Sequence, residues 1–415
     1  MLISKYKSVY PWIVVALLWG VALLNYMDRQ MLSTMKTAMM GDIHELETAE
    51  NFGRLMAVFL WIYGIASPFA GLIADRVSRK WLIVVSLAVW SGVTLAMGYA
   101  QNFDQLYVLR AIMGVSEALY IPAGLSLIAD YHKGTTRSLA IGIHITGLYM
   151  GQALGGFGAT VAQIWSWQLT FHLFGLVGII YSLVLMLLLR ENRESAPQNN
   201  SMNFKTWLNS IKHSMGMLLG TLSFWIILFY FATPSFPGWA VKNWVPTLFA
   251  ENLKIDMAVS GPLSTIIIAA SSFVGVIFGG ILSDRWIVKN LRGRIYTGAI
   301  GLGLTIPALF LLGLGHGFFS VITGAVMFGF GFGMFDSNNM PILCQFVSSR
   351  HRAAGYGLMN MIGVFGGAMV TKLLGKSTDA GNLGRDMALL AIPVAIAILL
   401  QLIMLKPKVA DKLED

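Results

Sequence analysis

Apolar residues in this chain run in blocks of roughly 20, each closed by a few charged or turn-forming residues. About 20 apolar residues in a helix cross the ~30 Å hydrocarbon core of a bilayer. The pattern therefore predicts an all-α integral membrane protein with twelve spanning helices. They fall near residues 12–36, 51–75, 80–100, 104–130, 138–161, 167–190, 220–249, 259–284, 294–314, 318–346, 353–374 and 385–405. The seventh is the least regular, because Pro234, Pro237 and Gly238 interrupt the pattern: either the helix is broken there or its start lies elsewhere. The first block carries no small-residue cleavage site, so it is expected to stay as a helix and not to be removed as a leader.

The polar residues between the blocks set the orientation. With both termini in the cytoplasm, 20 of the 29 Lys and Arg residues fall in cytoplasmic segments, six outside and three within helices. This is the positive-inside bias, and it requires an even helix count. The polar stretch that begins at Glu191 divides the chain. The expected organisation is a six-helix bundle over 1–190, a cytoplasmic linker over 191–218 and a second bundle over 219–415. The halves look related. Gly71-Leu-Ile-Ala-Asp75-Arg76 returns as Gly280-Ile-Leu-Ser-Asp284-Arg285, and Tyr131–Gly142 returns as Phe346–Gly357. Two matches at nearly one offset indicate an internal duplication.

Composition fits a chain in lipid. It is 56% hydrophobic and 12% charged, against about 25% charged in an average soluble domain. The 44 glycines suit close helix packing. Cys344 stands alone, so no intrachain disulfide can form. The net charge of +9 resides in short loops and reads as topology, which leaves no case for nucleic acid. No metal-ligand cluster, nucleophile elbow or phosphate loop is present, so neither an enzyme nor a bound cofactor is expected.

Four charges lie inside apolar blocks: Asp28, Arg29, Arg110 and Glu117. Each costs about 2.5–3.5 kcal/mol at the bilayer centre on insertion scales, so the default reading is a substrate or ion pathway. Arginine keeps its charge and offers a planar fork to a carboxylate. Arg29 is the first candidate for binding an anion and Arg110 the second. Asp28 and Arg29 are neighbours and diverge by about 100°, so Arg29 can face a cavity while Asp28 turns towards the fourth helix. Arg110 and Glu117, seven residues apart, share a helix face and are separated by roughly 10 Å along it. Asp28 and Glu117 are candidates for carrying protons, with Asp336 a third. A structural alternative pairs Asp28 with an arginine and Glu117 with Arg110, locking helices together. Tyr26, Tyr149, Gln152, Asn338, Asn339 and Asn360 can hydrogen-bond hydroxyl groups. Tyr120 and His144 are weaker candidates of the same kind. Lys242 either attracts anions near a mouth or snorkels to the surface.

The segment Gly71–Lys80, GLIADRVSRK, resembles the signature between helices 2 and 3 of the major facilitator superfamily. That resemblance covers nearly the whole chain. It implies two six-helix bundles with a cavity between them near the midplane, exposed to one side at a time by rocking. Gly71, Asp75, Arg76 and Arg79, with Asp284 and Arg285 of the repeat, then serve as gating contacts. Asn25-Tyr26-Met27-Asp28-Arg29, together with Arg110 and Glu117, is similar to the anion:cation symporters, which include sugar-acid permeases and sialin. Asn243-Trp244-Val245-Pro246-Thr247 and Met359-Asn360-Met361-Ile362-Gly363 fit the same family, although Val364 stands where a second asparagine is often found. The spinster-like lipid transporters share the first-helix and fourth-helix residues. The glycines from Gly147 to Gly156 resemble the signature of drug antiporters, but Gln152 replaces its proline. Those glycines are better explained by close helix packing.

The resemblance and the charges together imply a monomeric proton symporter of a bacterial inner membrane. Its partners are a small organic anion, protons and lipid, and its energy comes from the proton gradient. The expected cargo is a sugar acid: a hexonate, hexuronate or sialic acid. Moving one charge through 100 mV is worth about 2.3 kcal/mol, so two protons per monoanion make import electrogenic. The alternatives are a spinster-like carrier of lysolipids or other amphiphiles, a drug–proton antiporter and a transporter-like solute sensor.

Overall fold

The computed structural model describes residues 2–132, 136–191 and 215–409, excluding the side chains of residues 2–8, 71, 72, 75, 76, 138, 349, 350 and 353. All regular structure among them is helical. Before the polar stretch come α1 (Leu2–Leu32), α2 (Ala49–Arg76), α3 (Arg79–Met97), α4 (Phe103–Ala118), α5 (Tyr120–Tyr131), α6 (Arg137–Gly155), α7 (Gly158–Ile164) and α8 (Trp167–Leu188). After it come α9 (Leu222–Leu253), α10 (Met257–Ile287), α11 (Gly293–Leu314), α12 (Phe318–Asp336), α13 (Asn339–Phe346), α14 (Ser349–Asp379), α15 (Leu383–Leu389) and α16 (Ala391–Met404).

Eleven helical spans among the described residues are long and apolar enough to cross a membrane, with α4–α5, α12–α13 and α15–α16 each counting as one. α6 fills the place of the predicted fifth helix, where His144, Gln152 and several glycines dilute the apolar signal. On α8, Leu176, Val177, Ile180, Leu183 and Leu187 are exposed apolar side chains, as a lipid-facing surface requires.

The predicted break in the seventh helix is absent. α9 runs unbroken for 32 residues with Pro234, Pro237 and Pro246 inside it. It packs along α14 and α16. Interruptions fall in the fourth, tenth and twelfth spans, at Leu119, at Ser337–Asn338 and at Leu390. Pro122 has no N–H to give the carbonyl of Ala118, and Pro341 none for Ser337. The chain tightens instead, with Leu119 N bonding Ser116 O (3.3 Å) and Asn338 N bonding Phe335 O (3.0 Å).

The chain forms two compact units. One comprises residues 1–200 and 257–265, the other 201–256 and 266–415. In the first, α1 lies along α6, α2 along α4 and α3 along α8. A Cβ at Gly147, Gly151 or Gly155 of α6 would strike the carbonyl oxygen of Trp19, Leu23 or Met27. Three successive turns of α6 thus touch the α1 backbone itself, which bears out the packing reading of these glycines. In the second unit, α9 packs along α14, and α11 packs on α12 and α16. There Gly366 and Gly367 of α14 meet the rings of Phe236 and Trp239. Here the contact is backbone to side chain.

Candidate functional site

The glycine contacts fix the rotation of α1. Met27 faces α6, so Arg29, two residues on and about 200° round, points the other way. It meets α4, where its Nε lies 2.5 Å from Glu117 Oε2. Glu117 is fully buried and the Arg29 side chain is only 10% exposed. Three aromatic rings wall the guanidinium: Tyr26 at 5.1 Å, Phe59 at 4.9 Å and Tyr63 at 4.7 Å from Cζ to ring centroid. Phe59 and Tyr63 sit one turn apart on α2 and stack at 5.8 Å. Cation–π contacts contribute about 0.5–1 kcal/mol each at the surface and about 2 when desolvated, so the box holds a bare arginine at modest cost.

Arg110 joins the same cluster. Its Cζ lies 4.7 Å from the Phe59 centroid, which makes Phe59 a partition between two guanidiniums. Arg110 Nη1 donates to Met113 Sδ at 3.1 Å, and the residue is buried within electrostatic reach of Glu117 and Asp28. Asp28 is buried and accepts a hydrogen bond from Thr94 Oγ1 of α3 at 3.2 Å. Asp28 therefore turns towards α3, where the sequence suggested the fourth helix. Among the described residues, the ion pair of this group joins Arg29 to Glu117, in place of the expected alternative between Glu117 and Arg110.

The group of two arginines and two carboxylates is formally neutral. It also has unused capacity. Arg29 Nη2, Arg110 Nε and Glu117 Oε1 are buried without a hydrogen-bond partner among the described residues. A buried polar atom left so costs about 1–3 kcal/mol. Two donors and one acceptor of this group are therefore left without partners.

The hydroxyl-binding candidates scatter. Tyr26 is in the arginine box. Gln152 is buried and Tyr149 half-buried on α6. Asn338, Asn339 and Asn360 belong to the second unit. The Asn338 amide is spent on Met334 O (2.8 Å) and Ser337 Oγ (3.2 Å), and Asn360 is half-buried on α14. Tyr120 donates to Leu18 O at 2.8 Å and stands 2.9 Å from His144 Nε2, tying α5 to α1 and α6. Asn243 and Trp244 are likewise structural. Asn243 Nδ2 reaches Thr371 Oγ1 (2.8 Å) and Trp244 Nε1 reaches Thr371 O (3.0 Å), clamping α9 to α14.

Of the gating candidates, Gly71, Asp75 and Arg76 lie at the end of α2, with their side chains outside those described. Arg79 forms an ion pair with Asp130, and Glu191 caps the start of α3 through the backbone N–H groups of Arg79 (3.0 Å) and Lys80 (3.1 Å). Asp284 and Arg285 are exposed at the end of α10.

Sequence reasoning missed Phe59, Tyr63 and Thr94. The four-residue spacing of the two aromatics is visible, but on an apolar helix it also fits packing or lipid contact. A sharper signal was available. Glu117 precedes Pro122 by five residues, Asp336 precedes Pro341 by five, and the two pairs lie 219 residues apart. The duplication thus places a carboxylate just before a proline break in both units.

The family model described as Major Facilitator Superfamily matches residues 18–371. "Uncharacterized transporter YybO" of Bacillus subtilis is 23% identical over 72% of this chain and 71% of that protein. "Protein spinster" of Drosophila melanogaster is 24% identical over 72% of this chain, and the match spans half of that protein's length. A solved bacterial homolog of the human lysosomal transporter Spinster, inward-facing and unoccupied, superposes with a TM-score of 0.76 at 19% identity. It covers 95% of this chain and 96% of that one.

Proposed function

Because this chain belongs to the Major Facilitator Superfamily, we propose that it is a proton-coupled symporter importing a small organic anion of the sugar-acid class. A hexonate, hexuronate or sialic acid has the carboxylate this reading requires. The observation that carries it is the buried Arg29–Glu117 pair in its aromatic box, with Arg29 Nη2 and Glu117 Oε1 still unbonded. A cargo carboxylate takes Arg29 from Glu117, and Arg110 stands beside the same ring. The group is then one negative charge in excess, in a medium where uncompensated charge costs several kcal/mol. A proton on Glu117 removes the excess, and with it the pull that would draw Arg29 back. Anion and proton therefore enter together because each lowers the cost of the other. Asp28, held by Thr94, supplies a second proton site, and two protons per monoanion make import into a negative interior electrogenic. No cofactor is required, the location is the bacterial inner membrane and the working unit is the monomer.

A second reading is supported by the similarity to spinster proteins: an anionic amphiphile such as a lysolipid, bound through the same arginine. One experiment separates them. Reconstituted protein is challenged with sugar acids, neutral sugars, dicarboxylates and lysolipids while current is recorded. An inward positive current with one sugar acid, abolished in Arg29→Ala, is the expected result. Binding of lysolipid with no response to any sugar acid replaces the first reading with the second.

A further inference from the structure

One corner of the repeat is charged differently in the two units. In the first, Arg79 pairs with Asp130, and Glu191 accepts from the backbone N–H groups of Arg79 and Lys80. The repeat match of Tyr131 with Phe346 sets an offset of 215 residues. At that offset Arg79 becomes Arg294, Asp130 becomes Gln345 and Glu191 becomes Lys406. The cation is retained, one acid is replaced by a neutral amide and the other by a second cation.

Gln345 gathers this corner of the second unit. Its Nε2 donates to Leu291 O at 2.9 Å and to Val409 O at 3.3 Å, so the loop between α10 and α11 lies against the chain that leaves α16. Arg292 Nη2 donates to Leu402 O and ties the same two segments. Lys289 and Arg292 therefore stand beside Lys406 and Lys408, all within one compact unit. The three lysines are exposed, and none of the four cations has a carboxylate partner among the described residues. Asp284, near the end of α10, is followed by Arg285 and leaves the corner positive. Apolar side chains share the surface. Val288 is 84% exposed, and Leu291 and Val409 are exposed as well. The Trp286 and Tyr296 rings meet edge to face at 5.9 Å, with Arg292 Cζ 5.0 Å from the Tyr296 centroid. Cations, aromatic rings and exposed apolar groups at the ends of spanning helices are the composition of a membrane interface.

We propose that Lys289, Arg292, Lys406 and Lys408 bind the headgroup of an anionic phospholipid, with Val288, Leu291 and Val409 against its apolar part. The positive-inside bias assigns this end to the cytoplasmic leaflet, whose anionic lipids attract basic clusters. The exposed apolar side chains favour a lipid over a free anion, which has nothing to cover them. The site lies apart from the buried charges of the first unit and holds whatever the cargo is.

The test is lipid binding by the full chain in a neutral detergent, read by native mass spectrometry. Dioctanoyl phosphatidylglycerol is compared with dioctanoyl phosphatidylcholine, which has the same chains, and with inorganic phosphate, which has none. Wild-type protein is expected to bind phosphatidylglycerol about tenfold or more tightly than either. Combining Lys289→Gln, Lys406→Gln and Lys408→Gln should abolish most of that preference, since each basic residue near an anionic surface strengthens binding about fivefold. Combining Lys254→Gln, Lys372→Gln and Lys376→Gln removes the same charge at the other end of the spans. It should leave the preference within about twofold of wild type. All six lysines are exposed, so neither variant disturbs packing. Equal binding of the two lipids, equal losses in the two variants, or phosphate bound as tightly as phosphatidylglycerol overturns the proposal. So does a preference that emerges only when Asp411, Glu414 and Asp415 are neutralised, because the chain's own acidic end is then the occupant.

Discussion

Each unit carries a cation on its first long helix and a carboxylate just before a proline break in its fourth span, yet the two pairs are built differently. Arg29 and Glu117 touch at 2.5 Å, buried behind three rings, with Arg110 and Asp28 close by. In the second unit Asp336 is exposed, accepts a hydrogen bond from Asn339 Nδ2 at 3.2 Å and lies within electrostatic reach of Lys242. Where the first unit has Arg110, the position 219 residues later is Gly329. The same backbone device thus sits in two media. In the buried group no member can change charge without the others responding, which is what coupling needs. An exposed carboxylate such as Asp336 is more strongly screened and responds less to its neighbours.

The sharpest way to break this comparison is to remove each cation. Arg29→Ala should lose about a hundredfold or more in equilibrium binding of a sugar acid, since truncating one side of a buried pair also strands its partner. Lys242→Ala should cost less than about tenfold. Equal losses would erase the distinction. The carboxylates come next. Glu117→Gln should still exchange labelled for unlabelled cargo but fail to accumulate it under a pH gradient, whereas Asp336→Asn should accumulate it. Normal accumulation by Glu117→Gln would take that residue out of the coupling role. The smallest effect concerns packing. Gly151→Ala pushes a methyl into the Leu23 carbonyl and should lower unfolding stability in detergent by about 1–3 kcal/mol. Gly366→Ala meets only the edge of Phe236, which can rotate, and should cost about 1 kcal/mol or less. Thermal melts of the two variants decide it.

Much of the fold was legible because lipid imposes a simple code. A span must be apolar for about 20 residues, and loops must carry the charge. The exceptions are instructive. α9 reads as broken because prolines count heavily in a local pattern, while its packing against α14 and α16 leaves no trace at neighbouring positions. The four buried charges were legible individually, since their cost in lipid marks them. Their pairing was not, because it depends on how far α1 is turned. That turn is set by Gly147, Gly151 and Gly155, more than a hundred residues away. The same holds for Thr94, which becomes the partner of Asp28 only once α3 is in place.

Those three glycines have a mechanical consequence. Each seats a carbonyl of α1 at intervals of four residues, so the two helices mesh like gear teeth. Sliding one along the other would require lifting every tooth and dropping it a full step on, about 6 Å. Smaller displacements are blocked. A tug on the guanidinium of Arg29 cannot be absorbed by slippage and passes undiminished to α6, so the two helices act as one stiff beam.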